Sequence, residues 1–209
     1  MRLYIGSIAR QQSEYADPEE LGLIGEIKVS RLLNSDLFAK GEQKIIKNLV
    51  LVDKNGDTHQ IDHVVIRHNG IFAIETKNIS GTIYGSIDDS EWFSVFRKGK
   101  KYAFYNPLKQ NAAHVRYIEE VLSNQYKVHS VVVMVNGNGK RLKIPNVVNY
   151  IDLVDYLQGF NDGTHYSDQQ IEYAYATLDK ADAHISRYEH ARRLAARQNN
   201  PAALINHED

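Results

Sequence analysis

Three side chains in this sequence have the types and the spacing to hold a metal ion against a phosphate: Asp62, Glu75 and Lys77. Glu75 and Lys77 close the run Ile71-Phe72-Ala73-Ile74-Glu75-Thr76-Lys77, which is apolar on both alternations until its last three residues. Such a run reads as a central strand whose end reaches a functional edge. Strand side chains alternate between faces, so Glu75 and Lys77 share one face with Ile71 and Ala73. Asp62 lies in Gln60-Ile61-Asp62-His63-Val64-Val65. Counting outward from a turn near Asn69, Asp62 and Glu75 fall at similar distances on neighbouring antiparallel strands, which brings the carboxylates together. Two carboxylates and an ammonium suit a hard divalent cation, because Mg²⁺ prefers a few carboxylate oxygens plus waters and bridges to phosphate oxygens. A cation held there lowers the pKa of a bound water and neutralises charge developing on phosphorus. The chemistry expected of the set is phosphodiester hydrolysis.

The elements that must position these residues follow from the hydrophobic pattern. After Asp17-Pro18-Glu19-Glu20, the apolar residues Leu21, Ile24, Ile27, Leu32 and Leu33 predict a first helix ending near Asn34. Lys44 to Val52 and His59 to Arg67 read as strands joined by Lys54-Asn55-Gly56-Asp57, a hairpin turn in which Asn-Gly supplies the positive φ. Trp92–Phe96 and Tyr102–Tyr105 read as an aromatic hairpin with Arg97-Lys98-Gly99-Lys100-Lys101 at its tip, and Pro107 opens a helix reaching about Asn124. Val128 to Val135 is a buried strand, with another short one at Val147 to Ile151. The pattern Glu-x-Lys alone decides nothing, since it recurs at Glu26-Ile27-Lys28 and Glu42-Gln43-Lys44. In a helix the first pair diverges by about 200°, and the second lies in a polar connector.

Four ordered blocks carry more weight than any one motif: Gly22-Leu23-Ile24-Gly25-Glu26, Gln60-Ile61-Asp62-His63, Ile74-Glu75-Thr76-Lys77-Asn78, and Asn106-Pro107-Leu108-Lys109-Gln110-Asn111. Through them the sequence resembles the nuclease-related domain family, a branch of the PD-(D/E)xK nuclease superfamily, over roughly residues 20–135. The resemblance implies an α/β fold with a restriction-endonuclease-like mixed sheet flanked by helices. It also implies Asp62, Glu75 and Lys77 as the catalytic set, Glu26 as a helix-borne accessory carboxylate and Gln110 near the scissile phosphate. The metal, Mg²⁺ or Mn²⁺, would be held by Asp62, Glu75 and the Thr76 backbone carbonyl, with Glu26 as a further ligand. Ile61 stands where the superfamily places a proline before the catalytic aspartate. The function expected is a metal-dependent nuclease acting on nucleic acid, DNA in the first instance. The alternative is a binding or assembly module that keeps the fold without useful turnover, in which Asp62, Glu75 and Lys77 form a salt-bridged strand end.

Composition bounds the rest. The chain has 209 residues, 25 Lys plus Arg against 26 Asp plus Glu and a net charge of -1, which excludes coating nucleic acid through overall charge and makes any such site local. Within it, Arg97, Lys98, Lys100 and Lys101, flanked by Trp92, Phe96, Tyr102 and Phe104, could grip phosphate while a ring stacks on a base, although hairpin tips are also basic for solubility. Nine histidines include no His-Glu-x-x-His, and His63 should point to the strand face opposite Asp62. No cysteine is present, which fits a cytoplasmic location, and the start offers only a three-residue apolar stretch, too short for a membrane span.

Residues 1–19 read as an N-terminal segment, 20–163 as the nuclease-like domain and 164–209 as a helical extension. In that extension Ile171, Ala174, Leu178, Ala181, Ile185 and Tyr188 form one stripe along a long helix of about 30 residues, ~45 Å. The stripe needs a partner surface, either the chain's own core or a second subunit in a homodimer. Arg187, Arg192, Arg193 and Arg197 on the same segment read as a solvated face or as contacts to a nucleic-acid backbone.

Overall fold

Residues 18–35 and 43–199 are described by the computed structural model of the chain. The N-terminal segment before Pro18, Glu42, the tail after Pro201 and the side chains of Lys98 and Arg197 lie outside the described residues. The elements run α1 (Pro18–Leu33), β1 (Gln43–Val52), β2 (Thr58–Arg67), β3 (Gly70–Lys77), β4 (Thr82–Tyr84), β5 (Glu91–Val95), β6 (Lys101–Tyr105), α2 (Pro107–Val121), β7 (Val128–Met134), β8 (Val147–Asn149), α3 (Leu153–Gly159), α4 (Asp168–Ala181) and α5 (Arg187–Asn199). The main sheet is mixed, in the order β1-β2-β3-β7-β8. Its first three strands form an antiparallel meander, and β7 and β8 add in parallel. A second, antiparallel sheet has the order β4-β5-β6. This is the α/β architecture expected, with β3 at the centre. No helix among the described residues is long and apolar enough to cross a membrane.

Burial explains the layers. One sheet face, including Ile46, Val64, Ile66, Ile71 and Ala73, packs against Ile118 of α2 and Ile171, Ala174 and Leu178 of α4. Val65, Phe72, Ile74, Val131 and Val133 pack instead with Val29 and Leu33 of α1 and Leu153 and Leu157 of α3. The second sheet sets Ile83 and Trp92 against Leu108, Val132, Met134 and Val147.

The first helix forms where its apolar residues predict it, though with another face inward, and the single long C-terminal helix is corrected. Ile24 and Ile27 are exposed, and α1 buries Gly25, Val29 and Leu33. That row, four residues apart, turns the helix so that its backbone comes close to the end of β3 at Gly25. The long C-terminal helix is two helices. Asp182 leaves helical geometry with φ -62 and ψ 124, and His184 has φ 49. The break gives the edge strand β1 its partners, because Ala183 donates its N–H to the Val50 carbonyl while the Asp182 carboxylate accepts the Val50 N–H. Ser186 then accepts from the Glu189 N–H and starts α5. The Ser-x-x-Glu spacing is the cap signal that marks the new start. Ile171, Ala174 and Leu178 meet the chain's own core, whereas Tyr188 is exposed.

The two glycines of α1 make a contrasting test. A Cβ at Gly22 meets nothing within 4 Å, while one at Gly25 lies 2.7 Å from the Asn78 Cβ and 3.4 Å from the Thr76 Cγ2. Both substitutions gain the same helix propensity, about 1 kcal/mol. Gly22→Ala is expected to stabilise the protein by about that amount, and Gly25→Ala to lose it or fall below wild type because α1 must lift from β3. Urea denaturation of the two variants measures the difference.

Candidate active site

Asp62 occupies a gap between strands. The β2–β3 ladder stops at His63–Ile74, and the β1–β2 ladder passes from Lys47–His63 to Leu49–Ile61 around Asn48, whose φ is 52. Asparagine tolerates that left-handed conformation better than most residues. Where the ladder lapses, the Asp62 carboxylate replaces it by accepting the Thr76 backbone N–H at 2.8 Å. This contact sets Asp62 opposite the Glu75-Thr76 end of β3, as the strand-pairing count expects.

Glu75 and Lys77 project from the Ile71–Ala73 face of β3 toward α2. The Lys77 ammonium lies 2.7 Å from Glu75 Oε1 and donates to Gln110 Oε1 at 3.0 Å. Glu75 Oε2 is buried without a hydrogen bond, and His114 Nδ1 stands 3.6 Å from it. His114 follows Gln110 by four residues on α2 and so shares its face. That spacing was the available signal for His114, which sequence reasoning missed.

The four sequence blocks each have a structural reason. Gly25 admits the close approach of α1 to β3, and the Asn78 side-chain amide donates to the Leu21 carbonyl, tying the helix start to the strand end. Glu26 is thereby carried beside the cluster. Asn106 is fully buried; it caps α2 through the Leu108 N–H and donates to the Ser86, Ile87 and Asp89 carbonyls. Pro107 fills the first helical position, where its missing N–H costs nothing. Asn111, also fully buried, donates to the Ala73 and Val131 carbonyls and to Ser130 Oγ, fastening α2 to β3 and β7. Gln110 is thus fixed one residue before an anchor. His63 points away as expected, with its Nε2 hydrogen-bonded to Ser30 Oγ of α1 at 2.6 Å.

Burial dominates the electrostatics of the cluster. Burial, then Glu75 and Glu26, push the Asp62 pKa well above the usual carboxylate range, against the Thr76 N–H and Lys77. Burial also raises Glu75, with Lys77 opposing. Burial, followed by the charges of His59, Lys77 and His190, lowers His114 to about 4, so its imidazole is neutral at neutral pH. Burial and Lys47 lower His63 to about 4.

Not everything converges. Glu26 pairs with Arg187 at the start of α5, a contact that sequence reasoning placed on a solvated or nucleic-acid-binding face. Among the described residues no three His, Asp or Glu side chains are grouped as a metal-holding set. The donors that remain for a cation are the Asp62 carboxylate and the partnerless Glu75 Oε2, a chemistry that suits Mg²⁺ or Mn²⁺ completed by water. Arg97 and Lys100 lie on the β5–β6 connection and Lys101 begins β6, all in the second sheet region rather than on the elements that carry the carboxylates. Trp92, expected beside them as a stacking ring, is buried. A cavity of about 640 Å³ opens elsewhere, lined by Arg67, His68 and Asn69 at the β2–β3 turn and by Gln158 to Asn161 and Gly163 to His165. It sits at the opposite end of these strands from Asp62.

Comparison with known proteins gives the chain's family. An uncharacterized protein of Bacillus anthracis is 33% identical over 174 residues, covering 79% of this chain and 78% of the relative. No solved structure matches the chain significantly. The nuclease-related domain family matches residues 21–135, the span that holds Glu26, Asp62, Glu75, Lys77 and Gln110, and the chain belongs to that family.

Proposed function

We propose that the protein is a divalent-metal-dependent nuclease that hydrolyses phosphodiester bonds of DNA in the cytoplasm. The observation that supports this best is the meeting of Asp62 and Glu75 at the end of β3, with Glu75 Oε2 buried and unpartnered beside the Lys77 ammonium. Asp62, Glu75 and the Thr76 carbonyl would hold Mg²⁺ or Mn²⁺. Once bound, the metal would supply a Lewis acid that acidifies a water and neutralises charge on the phosphate.

The chain's own residues account for the remaining requirements. Lys77, held between Glu75 and Gln110, keeps a point charge where hydroxide and phosphate would meet. Gln110 accepts from the Lys77 ammonium and so fixes it. His114 stays neutral and does not compete for the Glu75 carboxylate. Arg187 neutralises Glu26 and leaves ligand duty chiefly to Asp62 and Glu75. A second reading, a nucleic-acid-binding module without turnover, is favoured by one feature: Lys77 and Arg187 already compensate Glu75 and Glu26. Cleavage of linear, circular, branched and single-stranded DNA with Mg²⁺, Mn²⁺ or EDTA decides between them. Metal-dependent cleavage supports the nuclease, and intact DNA under every condition supports the binding module.

Asp62→Asn and Glu75→Gln are each expected to abolish Mn²⁺ binding in calorimetric titration and yet to raise the melting temperature of the metal-free protein at neutral pH. Both native carboxyls have folded pKa values above their unfolded ones. Above the folded pKa the charged group therefore destabilises the fold, and removing it stabilises. A gain of ~1 kcal/mol moves the midpoint of a chain this size by about 2–4 °C. The gain should fade as pH falls through the range in which the wild-type carboxyl takes up its proton. Unchanged Mn²⁺ affinity in both variants removes the metal-site assignment.

Lys77→Met is expected to lose cleavage by about 10²–10³-fold, the scale of a lost electrostatic stabiliser, while Mn²⁺ affinity stays within a few-fold of wild type because an ammonium is not a ligand. Wild-type cleavage in this variant contradicts the role given to Lys77.

A further inference from the structure

The β4–β5–β6 sheet departs from the usual division of an antiparallel sheet packed on one side. Its inner face is conventional: Ile83, Trp92 and Ser94 are buried, and the Trp92 indole donates to the Ser86 carbonyl. The outer face should be polar. Instead the register puts Tyr84 opposite Phe93, Phe93 opposite Ala103, and Glu91 opposite Tyr105, so three large rings share the solvent side. Tyr84 is 53%, Phe93 42% and Tyr105 55% exposed. Directly opposed side chains on a sheet stand about 5 Å apart and diagonal ones about 7–8 Å, so the rings form a continuous row across the strands.

Along the strands, the hairpin end of this face beyond Val95 is basic. Arg97 and Lys101 are exposed there, and the Lys100 ammonium lies 4.8 Å from the centroid of the Tyr102 ring. The sheet is tied to the carboxylate cluster through both of its outer strands. Only Asn78 to Gly81 separates Lys77 from β4, and only Asn106 separates β6 from the helix that carries Gln110.

We propose that this outer face is a stacking platform for single-stranded DNA, with bases on Tyr84, Phe93 and Tyr105 and phosphates running toward Arg97 and Lys101. The choice of DNA rests on the nuclease reading, whereas the platform itself rests on the exposed rings. Aromatic side chains beside a positive groove bind unpaired bases without sequence preference, because every base has a π-face. A duplex hides those faces and offers only edges and phosphates. Ala103, opposite Phe93, leaves apolar space beside the rings, and Glu91, opposite Tyr105, keeps phosphates off that corner and turns them toward the basic end.

The test measures binding in EDTA, so that cleavage and metal affinity do not enter. Fluorescence anisotropy follows labelled oligo(dT), oligo(U) of the same length and a DNA duplex against the full chain and its Phe93→Ala, Tyr105→Ala and Phe93→Trp variants. Each alanine variant is expected to weaken oligo(dT) binding about five-fold or more, Phe93→Trp to retain it, and both alanine variants to melt like wild type because the rings are exposed. Wild-type affinity in both alanine variants, equal losses on duplex, tighter binding of oligo(U), or a dimer in light scattering that the alanine variants abolish would each overturn the proposal. The two readings fail separately: wild-type protein that binds oligo(dT) through these rings but never cleaves with Mg²⁺ or Mn²⁺ refutes the nuclease and supports the platform, and variants that cleave and bind normally refute the platform alone.

Discussion

Two like-charged carboxyls, Asp62 and Glu75, are held side by side where the β2–β3 ladder ends, and the surrounding structure answers the cost of that meeting. Like charges in a desolvated position raise one another's pKa and favour any cation that can enter. The chain supplies part of the answer itself: Lys77 meets Glu75, Arg187 meets Glu26, and the Thr76 N–H meets Asp62. One buried oxygen, Glu75 Oε2, is left over. The arrangement is costly for folding, and it persists because Asn111, Asn78 and the close approach at Gly25 fix the elements around it.

These fixings differ in kind from the groups they position. Asn106 and Asn111 are fully buried and spend their amides on backbone carbonyls, so they determine where α2 starts and how it lies on β3 and β7. Gln110, between them, is free to point its amide at Lys77. Buried donors placed this way are met in one docking geometry only, which makes them specific, while the Asn111 amide oxygen stays without a hydrogen bond. The same logic places His63 on the far side of β2, where its bond to Ser30 docks α1 while Asp62 faces the gap.

Much of this was legible in the residues. Alternation put Glu75 and Lys77 on one face, and counting from the Asn69 turn put Asp62 opposite Glu75, because strand periodicity and hairpin register are local rules. Gly25 and Asn111 stood inside recognisable blocks, but their reasons, a close backbone approach and a bridge to two strands, depend on tertiary neighbours. The split of the C-terminal helix was not read, because the periodic stripe Ile171–Leu178 runs on to Ile185 and Tyr188. What ends the helix is the demand of Val50 on an edge strand for hydrogen bonds, a partner more than a hundred residues away in the chain. Ser186 and Glu189 carried the only local mark of the restart. The aromatic hairpin shows the complementary failure: composition identified the rings, and only register could separate buried Trp92 from exposed Phe93.

Topology accounts for why these features gather at one end of the sheet. β3 is antiparallel to β2 but parallel to β7, and parallel neighbours require a crossover that returns the chain to the starting edge. Here the crossover is large and contains the whole β4–β5–β6 sheet followed by α2. It departs from the C-terminal end of β3, immediately after Lys77, so whatever it carries begins beside the carboxylates. Its last element, α2, must lie across β3 and β7 to close the crossover, and that path brings Gln110 and His114 back over Glu75. The second sheet, caught between departure and return, buries Trp92 against β7 and β8 and turns its other face outward. A single constraint, the return of the chain from a central strand to a parallel neighbour, thus assembles the charged cluster and sets an aromatic surface next to it.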